Sequence, residues 1–509
     1  MKRIVILFCF GFLAFVSRLY AQQEFHFNGA LTPLWSDAGN WQDGLKPDGD
    51  HAVVFLHAHV CVDEDAVVDD LLYTDDSAVV TVAKGHRLTV KGTFAPPSAQ
   101  QLFVEDSAQL LCGHSVPATV RMKISSQYNT KGLAAWHFIA SPIAAQLHPT
   151  DLDSLVYEDA NFELLRFNQS HVGGEWERYK DEAFQSSFLL ENGQGYLYAN
   201  GSEVPVLFVG EIMPSDQPLA VNLEYDNTPS VVAKGFNLVG NPFTCDAYSD
   251  MSYYKMDAEG RDFELVRASA NEPIASCHGV MVHATDAGQS VNFNREPWYT
   301  DKGCVRMTLE SNGKVVDEIM LSFNEGDKIG KFFFTEHKAN LYIYQNGMNY
   351  AIVTAENPSS MPIYFKTIEN SNYTLTVTPE NFNVNSLYLV DNISGADINL
   401  LATPSYTFSA TTSDYVSRFR LFVNTDHGVG EDDSSAGSEA FAYVNASGNI
   451  VLQGIEGEAV LEVYDMTGRC VLTQRVSDAE NVAGVTTAGV YVLRLTCGKT
   501  VRTQKLVVW

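Results

Sequence analysis

Two imidazoles and a thiol alternate in His57-Ala58-His59-Val60-Cys61, with Asp63 two residues on. In an extended strand, alternate side chains share a face. His57, His59 and Cys61 then stand together, with Ala52, Val54, Leu56, Ala58, Val60 and Val62 forming the apolar face behind them. Imidazole nitrogen and thiolate sulfur are zinc ligands, and a further donor from elsewhere would complete a site. Val53 and Phe55 share the histidine side, so the other reading is a solvated or stacked polar face. Acids recur nearby as Asp48 and Asp50, Asp63-Glu64-Asp65, Asp69-Asp70 and Asp75-Asp76. Such oxygen-rich loops can hold calcium; none has EF-hand spacing, and ordinary solvated acid is the alternative.

Organic catalysis leaves less trace. The sequence holds no G-x-S-x-G, no H-E-x-x-H and no P-loop; Gly498-Lys499-Thr500 lacks the upstream glycine. A carboxylate pair for glycoside hydrolysis meets only in space, so spacing names none. No catalytic or cofactor-binding residue is assigned. Trp35, Trp41, Trp176 and Trp298 offer faces for stacking on sugars, with burial in a β core as the alternative.

The elements around these residues read as strands. Short β-branched and aromatic runs recur at 52–56, 58–62, 67–73, 78–83, 87–91 and 102–104, separated by Gly, Asp and Ser. Asp75-Asp76-Ser77-Ala78 and Glu105-Asp106-Ser107-Ala108 each precede an apolar pair, as repeated rungs would require. Further on, Trp136-His137-Phe138-Ile139-Ala140-Ser141-Pro142-Ile143 matches Phe236-Asn237-Leu238-Val239-Gly240-Asn241-Pro242-Phe243. Phe162-Glu163-Leu164-Leu165-Arg166 matches Phe263-Glu264-Leu265-Val266-Arg267, and Gly195-Tyr196-Leu197-Tyr198 echoes Gly279-Val280-Met281-Val282. Three matches in one order predict two copies of a β-unit. In the first block, the small residue, Ser or Asn, and Pro form a strand exit, because Pro cannot extend a ladder.

Composition bounds the partners. The 509 residues carry a net charge of −29, which repels nucleic acid and favours cations or basic surfaces. Length allows about three to four domains. Cys9 apart, the cysteines are Cys61, Cys112, Cys245, Cys277, Cys304, Cys470 and Cys497, with no C-x-x-C among them. Cys470 and Cys497 follow two strands and pair if those strands are neighbours; buried free thiols are the alternative.

Both ends bear on location. Lys2 and Arg3, the apolar run Ile4 to Val16 and the site Leu19-Tyr20-Ala21 have the pattern of a secretory signal peptide. No segment is long and apolar enough for a transmembrane helix. Near the C-terminus, Val460 to Tyr464 and Val490 to Leu495 are strand-length runs, and Asp465-Met466-Thr467-Gly468 is a turn, giving a small β-sandwich. The combination Tyr464-Asp465-x-x-Gly468-Arg469-x-Val471, Gly489-Val490-Tyr491-Val492-Leu493-Arg494 and Lys505-Leu506-Val507-Val508 resembles the type A C-terminal sorting domain of the Bacteroidetes type IX secretion system. Trp509 departs from the pattern, since similar domains often end on a basic residue. The resemblance implies an immunoglobulin-like fold and passage across the outer membrane through the type IX machinery. It also implies removal of the tail by the system's sortase, and attachment to surface lipopolysaccharide or release.

Other segments resemble Bacteroidetes surface proteins. Trp35-x-x-x-x-x-Trp41-x-x-Gly44-x-x-Pro47, with Asp50 and a Val-Val-Phe strand after it, is similar to a segment that opens many of them and leads into β-helix-like rungs. Asp76-Ser77-Ala78, Asp106-Ser107-Ala108 and Asp153-Ser154-Leu155 are similar to their O-glycosylation sequon.

The organisation expected is therefore all-β and multidomain. It comprises a signal peptide at 1–21, a β-helix-like unit at 22–118, a duplicated β-unit at 119–299 and a β-sandwich at 300–425. An acidic flexible linker at 426–440 and the sorting domain at 441–509 follow. The function expected is a secreted, surface-attached, non-enzymatic protein, with an adhesin-like or envelope structural role toward a host or matrix glycan or protein. The alternative is a surface hydrolase of glycans or proteins.

Overall fold

The computed structural model describes residues 23–47, 51–124, 135–152, 162–226, 233–332, 339–345, 347–354, 360–414, 416–424, 442–444, 450–452, 458–465, 469–477, 489–497 and 500–508. The expected signal peptide and linker, Asp48, Asp50, the Asp153-Ser154-Leu155 sequon, Gly468 and Trp509 lie outside the described residues. The described chain is all-β, interrupted only by short helical turns such as Glu182–Gln185. It divides into a unit ending at Thr425 and another beginning at Asp426.

The first unit begins as a three-faced parallel coil. One face stacks Gln23–Phe27, Ala52–Leu56 and Asp70–Tyr73. A second stacks Val60–Val62, Val80–Val82, Leu102–Val104 and Pro117–Ile124. The third stacks Ala66–Val68, Arg87–Val90 and Gln109–Cys112. Each strand is short, so its inward residues meet their counterparts one rung away: Val62 beside Val82 beside Val104, and Val68 beside Val90 beside Cys112. All of these are buried, and no single rung could bury them alone. The runs expected at 58–62 and 67–73 are thereby corrected, since the strands begin at Val60 and the chain turns a corner at Asp69. The two acid-Ser-Ala repeats also stand at different corners: Ala78 precedes a strand of the second face and Ala108 one of the third.

The tryptophan motif caps this coil. Trp35 and Trp41 are buried edge to face with centroids 4.7 Å apart, and Trp41 Nε1–H donates to Trp35 O at 2.8 Å. Asn40, wholly buried, accepts from the Leu31 and Thr32 amides and donates to Leu34 O. Trp35 N–H and Cys61 N–H exchange bonds with the opposite segments, so this loop closes the second face.

The duplication is present in topology. In copy one the leading strand Pro117–Ile124 pairs antiparallel with the closing strand Val204–Glu211. Between them His137–Ala140, Phe162–Phe167, Trp176–Arg178 and Gly195–Asn200 form a sheet ordered first, fourth, second, third. In copy two Leu219–Asn222 pairs with Ser290–Asn294, and Phe236–Gly240, Tyr253–Met256, Phe263–Val266 and Gly279–His283 repeat that order. The first and third sequence matches fall on equivalent strands. The middle match does not: Phe162–Phe167 is a second strand and Phe263–Val266 a third. Both runs place large apolar residues around one glutamate, a composition that suits any strand of such a sheet.

Residues 304–423 form one hydrogen-bonded sheet of eleven strands, ten in a continuous path and Ile329–Gly330 branching from Met348–Thr354, wrapped around an apolar core rather than split into two separate sheets. Strand Ala339–Gln345 carries the path across the fold, pairing through one half with Met361–Thr367 and through the other with Met348–Thr354. The path ends at Ala396–Asn399 on one side and Ser405–Ala410 on the other. Side chains close the gap, with Tyr406 OH donating to Asp391 Oδ2 at 3.0 Å.

A buried histidine sits where copy two packs on this sheet. The His283 ring lies 4.5 Å from that of Phe236, its Nε2–H donates to Lys234 O at 3.2 Å, and the chain at Gly330 passes close against it. Burial pushes its pKa down to about 4, and Lys328 adds to the effect. The folded chain therefore excludes a proton that the unfolded chain takes up below its ordinary value of 6.5. Stability should fall as pH drops from 6.5 toward 4, by about 3 kcal/mol in all. Urea titrations at pH 7, 5.5 and 4.5 should show this slope, and His283→Gln should flatten it.

The second unit carries Ala442–Val444 paired with Ile450–Leu452, and an antiparallel sheet ordered Cys470–Ser477, Glu458–Asp465, Gly489–Cys497, Thr500–Val508. Ile450, Leu452, Leu461, Val463, Tyr491 and Leu493 share its core. The strands holding Cys470 and Cys497 flank Glu458–Asp465 from opposite sides, so the neighbouring placement a disulfide needs is corrected. Cys470 is free and exposed, while Cys112, Cys245, Cys277 and Cys304 are buried free thiols. Burial pushes Cys112 up to about 11 and the other three to about 12, which makes them poor nucleophiles.

Candidate functional site

The His-x-His-x-Cys run does not form one strand face. Strand Ala52–Leu56 ends before His57, the chain bends, and Cys61 lies in the next strand on another face of the coil. His57 Nε2 lies 3.0 Å from His26 Nδ1, and its Nδ1 lies 2.8 Å from Thr74 Oγ1. His59 is exposed, and Cys61 stacks beside Thr81, in register with Phe103. Among the described residues no three His, Cys, Asp or Glu side chains converge as metal ligands. The zinc grouping His57, His59, Cys61 rested on strand alternation, and the corner breaks it.

The acids at the corners have backbone partners. Asp63 accepts from the Ser36 amide at 2.9 Å and its hydroxyl at 2.6 Å. Asp65 accepts from the Arg87 amide, Asp70 from the Thr93 amide and Asp106 from the Lys123 amide, each reaching another rung. A short carboxylate that accepts an N–H from another segment gives Asp63, Asp65 and Asp70 a structural role in the coil. Ser77 and Ser107, the described sequon hydroxyls, are exposed, but each also contacts a neighbouring aspartate.

The residues of the expected sorting signal lie on the second unit's sheet. Asp465 closes its turn by accepting from Arg469 N at 3.1 Å and Nε at 3.0 Å. Arg469 is exposed, so this ion pair contributes little stability. Gly489 and Tyr491 lie in the strand Gly489–Cys497, with Tyr491 buried in the core. Lys505, Leu506, Val507 and Val508 belong to the edge strand Thr500–Val508, and Leu506 packs against the core.

Two clefts of the first unit lie where its two copies meet. Ala140 N–H donates to Cys277 O at 2.8 Å, and Gly240 N–H to Gly193 O at 2.8 Å. Isolated bridges join Ile139 to His278 and Gln194 to Val239. Each first strand thus meets the segment before the other copy's fourth strand, the contact pattern of an approximate local two-fold. The chains approach so closely that a Cβ on Gly240 would lie 2.3 Å from Ala140 Cβ, and one on Gly195 2.6 Å from Val239 O. This close approach is why the block carries a small residue before Ser141 or Asn241.

Two clefts flank the contact in equivalent places, each between one copy's first strand and the other copy's second strand and pre-fourth-strand segment. Their chemistry differs. The larger, about 520 Å³, is lined by Arg166, Asn168, Gln169, Glu191, Asn192, Gln194, Asn222, Glu224 and Asn237 among others. The smaller, about 310 Å³, is lined by Trp136, Phe138, Tyr253, Met256 and Ile274 with a polar rim.

In the polar cleft several groups are fixed by the fold. Gln169 is buried, donates to Glu224 O and Phe236 O, and accepts from the Asp226 and Gly235 amides, bonding the copies together. Arg166 donates to Glu177 at 2.6 Å and lies over the Phe188 ring. Burial works to raise the Glu177 carboxyl, but bonds from Arg166 and Asn168 outweigh it and hold the group below its ordinary range. Asn192 donates to Ser141 O and Pro242 O, which fixes its amide plane, yet its buried Oδ1 has no partner. Gln194 has no side-chain bond among the described residues. Sequence reading missed Asn192 and Gln194. The only signal was their position just before Gly195 in a duplicated block.

No protein-family model matches the chain, and no curated protein matches it. A solved structure, the tetra-tandem repeat in the extending region of a large adhesion protein, aligns over 77% of this chain and 100% of its own. It does so at 11% identity and a TM-score of 0.10, too low to carry any argument. No helix among the described residues is long and apolar enough to cross a membrane.

Proposed function

We propose that the chain is a non-enzymatic, adhesin-like protein of the bacterial cell surface, exported through the type IX secretion system, and that its polar cleft takes a neutral glycan segment. The observation that carries the binding reading is the polar wall of the larger of the two clefts, where Gln194 presents an amide with no side-chain bond among the described residues. Gln194 and Asn222 add amides that donate and accept, as sugar hydroxyls require. The export reading rests on the turn, strand and edge-strand motifs of the tail. It also implies sortase and lipopolysaccharide as partners.

Gln194→Ala removes an amide with no structural bond. The variant should keep the wild-type melting temperature and bind a neutral glycan selected from an array by the wild-type chain about tenfold more weakly, the effect of one hydrogen bond. Unchanged affinity would move the site away from this cleft. Truncation at residue 440 in the native bacterium should leave the protein in the periplasm; normal surface display would remove the sorting reading.

A further inference from the structure

One part of the eleven-stranded sheet has an outer face that is aromatic and basic. Four neighbouring strands form it: Ala339–Gln345, Met361–Thr367, Phe419–Val423 and Leu387–Asp391. Alternation sends Leu341, Ile363, Phe365, Leu421 and Leu389 into the core. Tyr342, Tyr344, Tyr364, Lys366 and Arg420 therefore share the opposite face. Tyr342 stands opposite Tyr364 with ring centroids 5.4 Å apart, and the Tyr344 ring meets Tyr364 edge to face at 5.8 Å. Arg420 stands opposite Pro362, so Tyr364 is its diagonal neighbour, within reach of long side chains. Tyr344, Lys366 and Arg420 are exposed.

Charge on this face runs against the rest of the chain. The sequence holds 62 acids against 33 bases, yet these four strands carry a single acid, Asp391, buried beneath them on Arg418. The next strand brings Asp397, but it stands opposite Val390, which separates it from Arg420. Neither Lys366 nor Arg420 has an ion-pair or hydrogen-bond partner among the described residues. Exposed cations beside aromatic rings suit an anion that also has an apolar face. A pyranose bearing a carboxylate has both: its C–H face covers a ring, its hydroxyls reach the phenol OH groups, and its carboxylate takes the guanidinium in paired hydrogen bonds. An acidic peptide brings the charge without a ring-sized C–H face. A single-stranded nucleic acid brings bases to stack, but its affinity grows with the number of phosphates neutralised, and a chain of net charge −29 repels the rest.

We propose that this face binds a hexuronate glycan, with sugar rings on the tyrosines and a carboxylate on Arg420, Lys366 adding attraction. It is a site apart from the polar cleft, and takes acidic rather than neutral sugars.

The test is isothermal titration calorimetry of the full chain with hexagalacturonate and with a hyaluronan hexasaccharide. At least one should bind saturably. Arg420→Ala and Tyr344→Ala should each weaken that binding about tenfold, the loss of one charge-assisted bond or one stacking contact. Both side chains are exposed, so the melting temperature should not change. Gln194→Ala should leave the binding unchanged, which separates this face from the polar cleft. The methyl ester of the bound glycan keeps the ring and loses the charge, and should also bind about tenfold more weakly. Absence of saturable binding of both probes, full binding by Arg420→Ala, equal binding of the ester, or tighter binding of poly-L-glutamate or oligothymidylate would each overturn the proposal.

Discussion

Asp391→Ala should destabilise the eleven-stranded unit by about 3–5 kcal/mol, the cost of leaving a buried charge without its partner. Asp391 is wholly buried and accepts from Arg418 Nε at 3.1 Å and Nη2 at 2.9 Å, as well as from the Ile393 amide and Tyr406 OH. Arg418 is buried too, lies 4.3 Å from the Phe408 ring centroid, and donates to Ser409 O and Asp414. The cluster joins Leu387–Asp391 to Ser405–Ala410 near the two ends of the sheet path. Removing the carboxylate would strand the guanidinium and open that closure. The paired variant Asp391→Leu/Arg418→Met should recover most of the loss, because it leaves neither member of the buried pair behind and the Asp414 carboxylate that loses Arg418 is partly exposed.

Acid should act on the same cluster. Burial works to raise the Asp391 carboxyl, but the bonds from Arg418, Ile393 and Tyr406 outweigh it and hold the group below 3.8. Its folded value is depressed, so its contribution is complete above 3.8 and fades as pH falls through the lower folded value. Urea midpoints should decline there in the wild type and less steeply in the paired variant. A cost below 1 kcal/mol for Asp391→Ala would mean that the closure contributes little.

Gly240→Ala should destabilise the first unit by about 3 kcal/mol or more, the upper range for overpacking a close-packed core. The added Cβ would lie 2.3 Å from Ala140 Cβ and 2.7 Å from Gln194 O. Neither can swing aside, because one is a methyl fixed to the backbone and the other a backbone carbonyl. Gly288 provides the comparison: it has φ +80° and nothing near its Cβ direction, so Gly288→Ala pays only the left-handed strain of about 1 kcal/mol. Thermal melts of the two variants separate steric contact at the two-fold from ordinary glycine loss. Equal melting temperatures would contradict the two-fold contact.

Local chemistry was legible where it repeats along the chain. The Val-x-Val triplets gave the coil, since each inward Val needs a neighbour one rung away. The Ala140-Ser141-Pro142 and Gly240-Asn241-Pro242 blocks gave the duplication, since equivalent strand exits face equivalent steric demands. Corners were illegible: His57, His59 and Cys61 satisfy strand alternation on paper, but nothing in their types says that the chain turns after Leu56. The role of the acids was illegible for a related reason, because sequence does not show which carboxylate accepts an amide from another rung. The clefts were hidden because both arise between copies, from segments far apart in the chain.

The most direct test exposes the full chain to arrayed neutral glycans and host extracellular proteins, then measures the mass of whatever is bound. Saturable capture of a ligand recovered intact, and weakened by Gln194→Ala, is the predicted result. Ligand recovered shorter by hydrolysis would contradict the account and make the chain a surface hydrolase.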